Sequence, residues 1–146
     1  GMIEEALAAH PAIAFAGAIG QPDAYAGEVP CAYIELKEGA STTPDEVIAF
    51  AAEHVHERAA RPVYVEILDE LPKTAVGKTF KPDLRKSAIR RVLTGALAEK
   101  EIEAAVTVEN DKLKGMVAVI DPVAGKTRAD VAPILDRFAV AWRMKG

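Results

Sequence analysis

The chain has 146 residues, half of them apolar and 27% charged, with a formal net charge of −4. That composition is globular, and it excludes a disordered tail, a collagen-like repeat and, with a pI near 5.4, a dedicated nucleic-acid binder. No apolar run approaches the ~18–20 residues of a membrane span, no secretory signal opens the chain, and one cysteine, Cys31, supports neither an internal disulfide nor by itself a thiolate metal site, so the expected compartment is the cytoplasm.

The first two residues read as the remnant of a cleaved tag, and a helical pattern from Ile3 to Ala9 begins almost at once. This start points to a piece of a longer protein. Ile13 to Ile19 is a short apolar run that fits a buried strand, Gly20 to Gly27 is rich in turn residues, and Val29 to Leu36 is the return strand of a hairpin. Pro30 is expected at an edge or bulge, where a missing N–H is tolerated. Thr43, Pro44 and Glu46 form a helix start with a capping-box pattern, and Val47, Ile48, Ala51, Ala52 and Val55 share one face of that helix. Val63 to Leu68 alternates as a strand does, Pro72 opens a charged loop, and a long helix runs from Pro82 to about Glu99 with Leu84, Ala88, Ile89, Val92, Leu93 and Ala96 inward. Beyond it, Ala105 to Glu109 and Met116 to Ile120 form a second hairpin, and Asp130 to Trp142 reads as a third long helix whose start Thr127 and Asp130 box. Val131, Leu135, Phe138 and Trp142 would lie on one face of it. The fold class is therefore α+β: a hairpin and a third strand flanked by helices over residues 1–99, then a ββα extension over 100–146 that echoes the first ββα in order.

The informative stretch for chemistry is LPKTAVGKTFKPDLR, Leu71 to Arg85. From Lys73 to Arg91 seven basic residues face only Asp83, a net of +6, which leaves −10 for the rest of the chain. Such a focused field suits a compact polyanion, ATP or the phosphates of a coenzyme, although a solvated helix face has the same composition. Two Gly-Lys-Thr triplets, at Gly77 and Gly125, fail the phosphate-loop pattern, because the required earlier glycine is Pro72 in one case and Ile120 in the other. His54 and His56 are two residues apart and diverge on a helix, so they and His10 make no metal site by spacing. Cys31 reads as a small buried apolar residue.

The stretch from Leu71 to Arg85 resembles the C-terminal motif of the adenylate-forming superfamily, whose branches include acyl-CoA synthetases, luciferases and peptide-synthetase adenylation domains. Leu71, Pro72, Lys73, Thr74, Gly77, Lys78, Lys81, Leu84 and Arg85 carry the match. Ile3 to Ile13, Ala18 to Leu36 and Arg61 to Pro72 agree with the helix, hairpin and strand of that family's small domain, in order. The likeness covers residues 3–99, is strongest to acyl-CoA synthetases, and does not extend past Lys100.

The resemblance implies a two-step reaction in which a carboxylic or fatty acid and ATP give acyl-AMP and pyrophosphate, and CoA then displaces AMP. Lys78 matches the family's catalytic lysine, Gly77 lets its loop enter a partner cleft, and Arg61 matches a base that meets the CoA nucleotide phosphates in some members; Val63 stands where such members carry a second base. The nucleotide pocket and its Mg2+ belong to a large N-terminal domain that this segment lacks, so the expected partners are that domain and the acid substrate, with no metal held here and the fragment alone inactive. The competing expectation is a small α+β module that uses its basic loop and helix to hold a nucleotide or a regulatory partner.

Overall fold

The computed structural model describes all residues 1–146, and it folds into two compact units, one of Gly1–Gly20 with Val29–Arg85, the other of Gln21–Glu28 with Lys86–Gly146.

The first unit is built on α1 (Met2–Ala8), β1 (Ile13–Asp23), β2 (Gly27–Leu36), α2 (Pro44–His54) and β3 (Tyr64–Leu68), except that the β1–β2 tip, residues 21–28, belongs to the second unit. The sheet order is β1-β2-β3, and β3 runs parallel to β2 with Cys31 opposite Tyr64 and Glu35 opposite Leu68. A parallel pair needs a crossover, and α2 supplies it. Ile3 and Leu7 of α1, Ile13, Ala32, Ile34, Val47, Ala51 and Val65 make one apolar cluster, and Val55 is buried at the end of α2. Thr43 caps α2 as expected, its hydroxyl accepting the Glu46 amide at 3.2 Å. The reciprocal half of the box is absent: the Glu46 carboxylate instead accepts the Thr42 hydroxyl at 2.8 Å.

The first hairpin is tighter than its turn-rich sequence indicates. Both strands run through the Gly, Pro and Asp positions, leaving only residues 24–26 as the turn. The Asp23 carboxylate accepts the amides of Tyr25 and Ala26 at 3.0 and 2.8 Å, and Gly27 follows at a positive φ of 80°. Pro22 lies in β1, an edge strand, where its missing N–H breaks no ladder. Pro30 lies in central β2 but precedes the first β2–β3 pair, and its carbonyl takes the Val63 amide at 2.9 Å.

Helix α3 (Lys81–Glu99) begins in the first unit, where Leu84 is buried, and continues in the second, where Leu93 and Leu97 are buried. Its single apolar stripe thus serves two cores. Compactness divides the chain within this helix, at Arg85, rather than after it.

In the second unit β4 (Ala104–Asp111) and β5 (Gly115–Pro122) pair antiparallel, α4 (Arg128–Leu135) crosses over, and β6 (Ala141–Met144) pairs parallel with β5. Thr127 and Asp130 form the predicted capping box. The expected long helix from Asp130 to Trp142 is corrected to these eight helical residues and a strand, so the extension is ββαβ. Pro133 removes one amide from the helical ladder, and the helix stops at Leu135. Trp142 then pairs opposite Ala118, donates its ring N–H to Asp136 at 2.9 Å and lies under the Arg128 guanidinium at 4.3 Å. The four-residue spacing of Val131, Leu135, Phe138 and Trp142 imitates a helix. Val140, Trp142 and Met144, which pack on the core at a spacing of two, carried the strand signal.

Candidate functional site

The basic loop after β3 is a closed hairpin rather than a flexible arm. Lys73 and Thr79 form an antiparallel bridge, and the Phe80 amide donates to the Pro72 carbonyl at 2.7 Å. Nearer the tip, the Thr74 amide donates to the Lys78 carbonyl at 2.7 Å and the Gly77 amide to the Thr74 carbonyl at 2.9 Å. The Thr74 hydroxyl accepts the Lys78 amide at 3.2 Å. Gly77 turns the chain at a positive φ of 84°, a conformation that strains any side chain with a Cβ. Lys78 therefore sits next to the turn with its backbone fixed and its side chain exposed.

The seven cations of this region differ sharply in what they touch. Lys73 is engaged by Glu35 at 2.7 Å, and Lys81 by Glu4 at 3.1 Å. Arg91 donates to the Gln21 side chain at 2.8 Å. Lys78, by contrast, makes no side-chain hydrogen bond or ion pair within the chain, and neither do the side chains of Arg85, Lys86 and Arg90. A cluster that looks uniform as a charge count is thus divided between lysines that build the loop's base and one that its tip presents.

Two carboxylates hold that base. The Glu35 carboxyl on β2 is held below its ordinary pKa, first by its hydrogen bond to Lys73 and then by the Leu71 amide it accepts at 2.9 Å. Burial works to raise the Glu4 carboxyl, but hydrogen bonds from Lys81 and the Ala18 amide and the chain's ammonium outweigh it, and its pKa is lowered. Neither glutamate is marked by sequence pattern, since each meets its lysine across 38 or more residues. Gly17 is the other feature the sequence did not disclose. A Cβ there would stand 2.6 Å from the Leu84 Cδ1 and 3.0 Å from the Thr79 Cγ2, so only glycine lets β1 pass beneath the loop's foot and the start of α3.

Arg61 precedes the five-residue β3, and Lys78 lies in the loop that follows it. The Arg61 Nε donates to the Val55 carbonyl at 2.8 Å, which fixes the guanidinium plane. His10 accepts the Ala12 amide at 3.0 Å and packs edge-on against Phe50, on which His54 stacks at 3.9 Å. Cys31 is fully buried in β2. Gly125-Lys126-Thr127 leads into the cap of α4, not into a phosphate cradle. No group of three His, Cys, Asp or Glu side chains is gathered to hold a metal ion, and no helix is long and apolar enough to cross a membrane.

A small α+β unit, one mixed three-stranded sheet with helices and a lysine-tipped loop after its last strand, has the fold of the C-terminal domains of adenylate-forming enzymes. The chain belongs to the AMP-binding enzyme C-terminal domain family, which it matches over residues 2–78. Marinolic acid–CoA ligase of Pseudoalteromonas sp. (strain SANK 73390) is 31% identical over 149 residues, covering 97% of this chain and 23% of that protein. A putative acyl-CoA synthetase of Bacillus subtilis (strain 168) is 42% identical over 87 residues, 60% of this chain and 16% of that one. Among solved structures, the acyl-CoA synthetase of Brucella canis superposes with a TM-score of 0.56 at 31% identity, covering 62% of this chain and 17% of that chain. The chain spans less than a quarter of the length of the curated relatives it matches. Coverage of 97% carries the Pseudoalteromonas match into the tail from Lys100 on, which the resemblance read from the motif did not cover.

Proposed function

We propose that this chain is the mobile lid of an AMP-forming acyl-CoA synthetase and that Lys78 is its adenylation lysine. The observation that carries the reading is an ammonium with no partner in its own fold, presented beside the turn of a hydrogen-bonded hairpin, in a chain of this family. In the reaction so assigned, a carboxylate oxygen attacks the α-phosphorus of ATP, forming the acyl–phosphate bond and breaking the bond to pyrophosphate. Negative charge gathers on the phosphoryl and bridging oxygens, and a positioned cation there lowers the barrier. Lysine suits the task as a compact charge on a long stem. The CoA thiol then displaces AMP to give acyl-CoA.

Arg61, before the start of β3, fits a contact with the phosphates of the CoA nucleotide, because the Val55 carbonyl takes its Nε and leaves the terminal nitrogens free to bond a ligand. A lid that turned between two poses would use Lys78 and Arg61 in succession. The remaining groups, the ATP pocket, the acid pocket and the Mg2+ that accompanies ATP, are assigned to the large N-terminal domain of such a synthetase. Residues 1–99 are the lid proper and 100–146 an extension, and the setting is cytoplasmic.

The test is complementation. The pure 146-residue chain given ATP, CoA and carboxylic acids should form no acyl-CoA, whereas fusing it to its adenylating domain should restore synthesis, and the same fusion with Lys78→Ala should not. Acyl-CoA from the chain alone, or full activity of the Lys78→Ala fusion, refutes the assignment.

A further inference from the structure

The geometry points to Glu35 as the positioning residue of the lysine loop, a clamp that makes the hairpin and its Lys78 a single rigid piece; this rests on the assignment of Lys78 made above. Glu35 sits on the central strand, paired with Leu68, the last residue of β3. From there its Oε1 takes two bonds from the stem of the loop, the Lys73 ammonium at 2.7 Å and the Leu71 amide at 2.9 Å. The Lys73 ammonium also lies 4.6 Å from the centre of the Phe15 ring on β1. The stem, which continues the chain from β3, is thereby tied to β2 and β1.

The tie runs on to the tip without a break. Lys73 bridges Thr79, and Thr74, its neighbour, bonds both the amide and the carbonyl of Lys78. Lys73 and Lys78, five positions apart, therefore have different tasks. Lys73 faces a carboxylate and a ring and is unavailable for reaching outward; Lys78 reaches because Lys73 is held.

An exposed single ion pair would contribute little. This one is different in kind: both partners are about four-fifths shielded, the carboxylate also accepts a backbone amide, and the cation has an aromatic face beside it. Its consequence for catalysis is geometric, since a misplacement of ~1 Å in a reacting group costs up to ~100-fold in rate.

The experiment uses the full-length enzyme with Glu35→Gln, which keeps the shape and removes the charge, beside Lys73→Met, which breaks the pair from the other side and leaves the Leu71 amide bonded. Adenylate formation should lose about 10- to 100-fold in kcat with the KM for ATP and acid nearly unchanged. Thioester formation from supplied acyl-AMP should hold, and hydrogen exchange at the Gly77 and Lys78 amides should speed up while the β2 amides stay protected. The exchanged pair Glu35→Lys with Lys73→Glu should recover part of the loss. If Glu35→Gln fails to fold, Lys73→Met carries the same test. Wild-type adenylation and loop exchange in both variants, with Lys78→Ala inactive, overturns the clamp and leaves the Lys78 assignment standing. Unimpaired adenylation by Lys78→Ala overturns both.

Discussion

The two units of the chain have the same topology and different equipment. Each is a ββαβ arrangement in which an antiparallel hairpin is followed by a threonine-capped crossover helix and a third strand parallel to the second. The turns of the two hairpins agree as well, although both fall within the second unit. Asp23 accepts the amides two and three residues on and Gly27 takes a positive φ; Asp111 accepts the amides of Leu113 and Lys114 at 2.8 and 3.0 Å, with Gly115 at 77°. Each unit also holds one Gly-Lys-Thr triplet. In the first it lies in the braced hairpin after the third strand, in the second it precedes the crossover helix and supplies its cap. The chemistry proposed here belongs to the loop and its bracing, not to the fold or the tripeptide.

Substitution of the two triplet lysines separates the units most strongly. In the full-length enzyme Lys78→Ala should lower acyl-CoA synthesis by roughly 100- to 1,000-fold, as removal of one positioned charge-stabilising donor does, and Lys126→Ala should leave steady-state rates within about 2-fold. Equal effects would dissolve the distinction. Gly17 in β1 and Gly95 in α3, neither at a positive φ, come next. Gly17→Ala forces a Cβ against buried Leu84 and should destabilise the chain by about 1–3 kcal/mol in urea unfolding. Gly95→Ala places a methyl in open space on α3 and should stabilise it by up to about 1 kcal/mol.

The hairpin and helix-start carboxylates of the second unit predict a smaller change. Asp130 is held below its usual value by the Thr127 amide first and then the Thr127 hydroxyl, and Asp130→Ala should lower the melting temperature slightly. The first unit's glutamates predict a pH response. Glu4 and Glu35 are both held below 4.5, so the stabilisation they give is whole above that pH and drains away as pH falls through their folded values. Acid unfolding of Glu35→Gln should accordingly be less steep below pH 4.5 than that of the parent, whereas identical slopes would show that the carboxylate titrates normally.

Much of this was legible from local chemistry. Thr43-Pro44, Thr127 with Asp130, the alternation of β3 and the motif from Leu71 to Arg85 each depend on neighbours within a few residues, and each appears where the pattern puts it. Features that depend on distant partners were not legible. Glu35 is an ordinary strand residue until the chain brings Lys73 to it across 38 positions, and Gly17 looks like any glycine until Leu84 packs against it. The mistaken end of the last helix has another cause: apolar residues at a spacing of four satisfied the helical template, while the competing spacing of two and Pro133 argued for a strand beyond it. The net charge around Lys78 was correct as a sum and uninformative as a site, because Lys73 and Lys81 prove to be structural.

The account stands or falls on which half of the reaction needs the Lys78 ammonium. Pyrophosphate release in a single turnover of acid and ATP, set beside acyl-CoA formation from supplied acyl-AMP and CoA in the same full-length Lys78→Ala enzyme, measures this directly. The account predicts that the first rate collapses and the second stays within a few-fold of the parent; a parallel fall in both, or an unchanged first rate, would contradict it.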